Sequence, residues 1–228
     1  MSVNQDSLQS ISNEVIVCRL CPRLVGWREQ VGVEKRKAFR DHEYWAKPVP
    51  GFGDPNARVL LLGLAPGAHG SNRTGRMFTG DDSGRFLYAA LHRAGYANQP
   101  ESSAQNDGLM VNDLWITAVC RCVPPDNKPT SSEIANCHSY LTREINCLPG
   151  LEGIVVFGKI AFDAAMGMYG KGKENLKFGH GLFYPVGDCR PWILASYHPS
   201  RQNTQTGRLT PLMFDQIWIE VRKLLTIS

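Results

Sequence analysis

Two loops and two spaced cysteine pairs carry the residue types in this chain that could do chemistry. The first loop follows the apolar run Arg58-Val59-Leu60-Leu61-Leu62. It reads Gly63-Leu64-Ala65-Pro66-Gly67-Ala68-His69-Gly70, then Ser71-Asn72-Arg73-Thr74-Gly75-Arg76-Met77-Phe78-Thr79-Gly80-Asp81. Gly63, Gly67 and Gly70 free the backbone as it leaves a buried strand and allow a ligand to approach main-chain amides closely. Two familiar phosphate cradles are excluded, because no Lys-Ser or Lys-Thr closes the loop and no three-glycine dinucleotide fingerprint is present. The second loop, His198-Pro199-Ser200-Arg201-Gln202-Asn203, follows the apolar run Trp192-Ile193-Leu194-Ala195. Cys18 and Cys21, separated by two residues, present both thiolates to one metal or cluster, and Cys122 with Cys137 forms a second candidate pair. Cys120, Cys147 and Cys189 read as small buried hydrophobes.

The elements that must position these residues follow from patterning. Leu8, Ile11, Val15 and Ile16 predict a helix over Ser7–Val17 that covers the first cysteine pair. Lys35–Pro50 reads as an extended surface connection in which Trp45 packs. Ser83 is expected to cap a helix through Phe86, Leu87, Ala90 and Leu91, stopping at Gly95. A strand is expected within Leu109–Val119, and a polar turn over Pro124–Pro129. Thr130 and Glu133 form a capping box for a helix that turns Cys137 inward. A strand over Gly153–Phe157, a helix over Ile160–Met168, a strand over Trp192–Ala195 and a last helix opened by Thr210 and Pro211 complete the series. Short apolar strands alternating with helices make an α/β fold with a parallel sheet the natural architecture. Both distinctive loops leave strands at their carboxyl ends, where such sheets bind ligands, and a cleft between them is expected.

At 228 residues, 43% hydrophobic and 20% charged, the chain is long enough for one well-buried core, and residues 1–228 read as a single domain. Met1–Gln9 has neither the basic start nor the apolar stretch of a secretory leader, and no later run would span a bilayer, so a cytoplasmic protein with no membrane contact is expected. Seven cysteines are an odd number, which argues against a disulfide framework in that compartment. A net charge of +4 permits a nucleic-acid partner without demanding one. Basic residues cluster as Arg19, Arg23 and Arg28 near the first cysteines, Arg73 and Arg76 in the first loop, and Arg201 and Arg208 after His198. Lys171, Lys173 and Lys177 read as a solvated face.

Together the two loops resemble the active-site motifs of the uracil-DNA glycosylase superfamily. The run Gly63 to Gly70, with Asn72-Arg73-Thr74-Gly75-Arg76 and Phe78-Thr79-Gly80-Asp81, is similar to the iron-sulfur type-5 family of bacteria and archaea. That resemblance implies a three-layer α/β/α sandwich around a central four-stranded parallel sheet. It also implies a 4Fe-4S cluster held by Cys18, Cys21, Cys122 and Cys137, including the Arg121-Cys122-Val123-Pro124-Pro125 turn, so that residues 18–21 and 122–137 form a cluster subregion. Zinc is the alternative on cysteine count alone.

The implied activity is removal of uracil and other deaminated bases, such as hypoxanthine, from DNA by hydrolysis of the N-glycosidic bond after the nucleotide is extruded. By the same resemblance Phe78 stacks under the base, amides from Gly63 through Ala65 to Gly67 bind its carbonyl oxygens, and His198 donates to the oxygen beside the broken bond. Arg201 and Gln202 stand where related enzymes wedge into the stack, Arg73 and Arg76 are expected to contact DNA, and His69 to line the pocket or hold the loop. Leu64 and Ala65 replace the polar water activator of many relatives, so Asp81, with Asp82 as the alternative, is assigned to position water or support the sugar cation. No asparagine stands near Thr117-Ala118, where stricter uracil readers have one, and Asn127 is a substitute contact. Loss of that discriminating side chain implies relaxed base selectivity. A monomeric enzyme is expected, and a protein that captures uracil in DNA without turnover is the alternative reading.

Overall fold

The computed structural model describes residues 6–169, 176–186 and 191–227. Lys171, Lys173 and Cys189, named above, lie outside these residues.

Four strands are buried at every position: β2 (Val59–Gly63), β3 (Leu114–Ala118), β4 (Gly153–Phe157) and β6 (Trp192–Ser196). They pair in parallel in the order β3-β2-β4-β6, and their uninterrupted apolar runs reflect burial on both faces. The expected four-stranded parallel sheet is therefore present, extended by two edge strands of two residues each. These are β1 (Phe52–Gly53), antiparallel to β3, and β5 (Phe183–Tyr184), antiparallel to β6. Strands this short leave no readable pattern, yet they occupy edge groups that would otherwise stay open for pairing.

Alternation along each strand divides the core into two layers. Val59, Leu61, Leu114, Ile116, Val155, Phe157 and Leu194 face α4 (Asp82–Arg93) and α8 (Pro211–Ile227), where Leu87, Tyr88, Phe214 and Trp218 pack against them. Leu60, Leu62, Trp115, Ile154, Val156 and Ile193 face α5 (Ser131–Asn146) and α6 (Lys159–Tyr169), with Leu141, Ile145 and Phe162. Each such aliphatic side chain contributes about 1.5–3 kcal/mol of burial energy. Helix α1 (Leu8–Val17) lies on α5 through Leu8 and its neighbours. Helix α2 (Pro22–Glu34) carries the buried stripe Leu24, Val25, Arg28 and Val31. Two short helices, α3 (Ser71–Thr74) and α7 (Arg201–Gln205), belong to the two loops.

Local expectations hold where capping chemistry is explicit. Thr130 accepts from the Glu133 amide while Glu133 reaches back to the Thr130 amide, opening α5 as a capping box. Helix α4 departs from expectation: its cap is Asp81 and not Ser83, because the Asp81 side chain accepts from the Gly84 amide at 2.9 Å and the helix begins at Asp82, which puts Ser83 inside it. The strand expected within Leu109–Val119 begins only at Leu114, because Asp113 takes a φ of +59°. Lys35–Pro50 contains a 3-10 turn at Lys37–Phe39 and is otherwise irregular, with the Trp45 indole donating to the Pro48 carbonyl at 3.0 Å.

One buried ion pair ties the sheet to α5. Arg121 and Glu144, with side chains 2% and 0% exposed, meet at 2.5 Å, and Thr117 on β3 donates to the same Glu144 oxygen at 2.7 Å. Replacing Glu144 by leucine strands the Arg121 guanidinium in the core. Urea unfolding of Glu144→Leu is expected to show a stability loss of about 3–5 kcal/mol.

Candidate active site

The loops after β2 and β6 meet above the carboxyl ends of the parallel strands and enclose a cavity of about 620 Å³. A larger groove of about 730 Å³ between α4 and α8 holds none of the candidate residues. The cavity floor is Gly63, Leu64 and Ala65 at the end of β2 and Ala118 at the end of β3. Gly67, His69, Phe78 and Asp81 come from the first loop, His198, Arg201 and Gln202 from the second, and Asn127 from the turn before α5.

The glycines of the first loop make room for two side chains of that same loop. A Cβ at Gly63 would lie 2.9 Å from the Phe78 ring, and one at Gly67 or Gly70 would lie 2.9 or 2.0 Å from Asp81 Oδ2. Phe78 itself has a φ of +51°, a conformation that costs energy for an aromatic residue and persists at sites where the surroundings enforce it. Its backbone is gripped from the far side, since a Cβ at Gly84 would fall 1.8 Å from the Phe78 carbonyl oxygen. The Phe78 ring is mostly buried and packs edge-on to Phe157 at 5.8 Å, with His198 also at 5.8 Å.

Burial sets the protonation of the two candidate catalytic groups. The Asp81 carboxyl is held above the usual aspartate value by desolvation, against the amide hydrogen bonds of Gly84 and Ser83, which favour its ionised form. Desolvation pushes His198 down to about 4, so its ring is neutral near pH 7 and carries one N–H to donate. The His198 carbonyl accepts from the Asn203 side chain at 2.9 Å, and Ser200 caps α7 through the Asn203 amide. Arg201 is largely exposed at the cavity rim, 3.8 Å from Asp82, and Gln202 is exposed beside it on the first turn of α7. Asn127 is exposed on the opposite wall with a φ of +56°.

His69 lines the cavity and is held by the Tyr44 hydroxyl at its Nδ1, 2.9 Å away. Burial, with Arg36 and Arg73 nearby, lowers its pKa. Tyr44 and the cavity-lining Arg36 escape sequence reasoning because they belong to the irregular connection, which has no periodicity.

Arg73 and Arg76, expected on the DNA side, are buried at 8% and 4% exposure, and that expectation is corrected. Arg73 donates to the carbonyls of His69 and Gly80 at 2.7 and 2.8 Å. Arg76 pairs with Asp107 at 2.8 Å and also donates to Thr79 and Ser102. Buried guanidinium groups require such partners, and both arginines brace the loop from within.

The four cysteines assigned to a cluster line one small enclosed pocket together with Arg28, Arg121 and Tyr140. Cys18 ends α1, Cys21 precedes α2, Cys122 follows β3 and Cys137 lies on α5. Burial pushes the Cys122 thiol up to about 11, so its ionisation requires positive charge nearby. Part of that charge is Arg28 Nη1, which donates to Cys122 Sγ at 2.9 Å, while Asn136 donates to Cys21 Sγ at 3.3 Å. Among the described residues no three His, Cys, Asp or Glu side chains converge as they would around a single metal ion. Residue type and spacing alone do not mark Arg28 or Asn136 as a sulfur donor. Arg28 stands seven positions, two helical turns, after Cys21, a signal that becomes readable only once α2 is known.

Residues 50–222 match the family described as the uracil DNA glycosylase superfamily. The chain belongs to that superfamily. It is 54% identical over 207 residues to the type-5 uracil-DNA glycosylase of Thermus thermophilus, covering 91% of this chain and 93% of that one. The type-5 uracil-DNA glycosylase of Mycobacterium tuberculosis is 49% identical over 97% of this chain and 83% of its own. That of Pyrobaculum aerophilum is 42% identical over 87% of this chain and 84% of its own. Among the described residues, no helix is long and apolar enough to cross a membrane.

The close approach of Asp81 to the glycines makes the superfamily loop testable without a substrate. Gly70→Ala is expected to drive the Asp81 carboxylate off the α4 N-terminus and to destabilise the protein by ~1 kcal/mol, the typical worth of such a cap. Faster hydrogen exchange at the Gly84 amide is the accompanying sign; unchanged exchange would contradict the packing.

Proposed function

We propose that this chain is a DNA repair glycosylase that hydrolyses the N-glycosidic bond of uracil, and of other deaminated bases such as hypoxanthine, in an extruded nucleotide, leaving an abasic site. The observation that carries this reading is the convergence of Phe78, Asp81 and His198 on one cavity floored by the Gly63–Gly67 backbone. An extruded base stacks on Phe78, with main-chain amides of the floor at its carbonyl oxygens. As the bond between the base and the sugar C1′ breaks, the electron pair stays with the base, and the neutral His198 donates a hydrogen bond to the oxygen where charge accumulates. The Asp81 carboxylate faces the cationic sugar and holds the water that adds to C1′; the proton this water loses passes to the carboxylate and then through solvent to the base anion, leaving an abasic sugar and a neutral free base. Arg201 and Gln202 occupy the rim, where they fill the vacated base stack. All of these residues come from one chain, so a monomer suffices.

In the same reading Cys18, Cys21, Cys122 and Cys137 hold a 4Fe-4S cluster. Four thiols lining a shared pocket, one of them hydrogen-bonded to a buried guanidinium, support a thiolate-ligated centre there. When bound, the cluster supplies a covalent cross-link among the α1–α2 junction, the turn after β3, and α5. The chemistry of base release stays with the cavity residues.

Release of free base from a uracil-containing duplex in excess of enzyme is expected; release limited to one equivalent would instead indicate stoichiometric capture. Asp81→Asn keeps an oxygen to cap α4 but removes the charge, so turnover is expected to fall at least ~100-fold. A carboxyl raised above its unfolded pKa weakens the fold wherever it is ionised, so the melting temperature of Asp81→Asn at pH 7 is expected to equal or exceed that of the parent. Because His198 titrates at about 4 and not at the ordinary 6.5, kcat/KM is expected to stay flat as pH passes 6.5 and to fall only in more acidic solution. On a panel of damaged-base duplexes, hypoxanthine is expected to be released as well as uracil, since the methyl group of Ala118 cannot discriminate the base edge; release of uracil alone would contradict this.

A further inference from the structure

The cysteine pocket contains more than four thiols. Arg28 is 2% exposed, donates to Cys122 Sγ at 2.9 Å and reaches the Cys18 carbonyl at 3.3 Å. Its neighbour Glu29 is 3.8 Å away and is engaged by Arg19 at 2.5 Å. A guanidinium this deeply buried is costly unless negative charge meets it, and the side-chain atom it meets at hydrogen-bond distance is a cysteine sulfur, with the Glu29 carboxylate farther off. Cys21 receives the Asn136 amide at 3.3 Å. Tyr140 lines the same pocket. Cys122 and Cys21 thus each have a polar partner contributed by a side chain outside the set of four.

We propose that Arg28 and Asn136 form a donor shell that sets the reduction potential of the cluster, with Arg28 contributing most. This rests on the reading that the four cysteines hold a 4Fe-4S cluster. A centre with four thiolates carries net negative charge, and one-electron reduction makes it more negative. Hydrogen bonds and buried positive charge at the sulfurs stabilise the reduced state and raise the potential. Arg28 supplies both, Asn136 only a neutral hydrogen bond. The shell surrounds the ligands and leaves the base cavity untouched, so its action is read on the cluster itself.

The test is a redox titration of the iron-loaded protein, prepared anaerobically and reduced with a chemical one-electron donor, with the reduced cluster followed by electron paramagnetic resonance. Parent, Arg28→Met, Arg28→Lys and Asn136→Leu are compared at equal iron and sulfide content. A midpoint shifted to more negative potential is expected in Arg28→Met, with a smaller shift of the same sign in Asn136→Leu. Partial recovery is expected in Arg28→Lys, which restores charge without the planar fork. Unchanged midpoints in variants that retain full iron would overturn the proposal. Asn136 is exposed, so Asn136→Leu decides the matter if Arg28→Met does not fold. A parent protein without iron and sulfide would overturn the cluster reading first, and the donor shell with it.

Discussion

The packing of the Asp81 carboxylate against bare backbone is the constraint on which the site depends. One oxygen accepts the Gly84 amide and starts α4, and the other lies where only hydrogen can stand at Gly67 and Gly70. The loop must therefore stay glycine-rich at those positions for the helix to begin where it does. The same helix start clamps the Phe78 carbonyl through Gly84 and holds Phe78 in its positive-φ conformation. The α4 cap, the Phe78 ring and the candidate catalytic carboxylate are thus one structural unit, braced from beneath by Arg73 and Arg76.

Burial then gives this unit its electrostatic character. Asp81 and His198 are both desolvated, and desolvation opposes the charged form of each. The consequences differ in kind: desolvation raises the Asp81 pKa against two amide hydrogen bonds that favour its ionised form, while His198 gives its charge up and becomes a neutral donor. In the proposed reaction the Asp81 carboxylate stands on the sugar side and the His198 donor on the base side, which suits charge separation because neither needs to reorganise as the bond breaks.

Strand β3 joins this site to the cysteine pocket. Ala118 ends the strand at the cavity, Thr117 one position earlier enters the buried Glu144–Arg121 network, and Arg121 and Cys122 line the cysteine pocket. On α5, Asn136, Cys137 and Tyr140 face the cysteines from one helix surface. The cavity and the cysteine pocket share strand β3 and the turn after it without sharing a lining residue.

The sequence by itself determined the parts whose signals are local. Four apolar strand runs, the Thr130–Glu133 capping box and the spacing of both loops depend on near neighbours and are readable from residue type. So is membership of the superfamily, because the motifs of both loops stand intact. Three features were decided only by tertiary structure. Arg73 and Arg76 carry charge that reads as a DNA contact, yet distant or main-chain partners, Asp107, Ser102, His69 and Gly80, draw them inward. Helix α2 stayed hidden because its buried face includes Arg28, whose burial makes sense only once Cys122, 94 positions away, is beside it. Tyr44 reached His69 from a segment with no periodicity. A side chain's charge and size are local properties, but its partner is set by the fold, and the partner decides whether it faces substrate, sulfur or core.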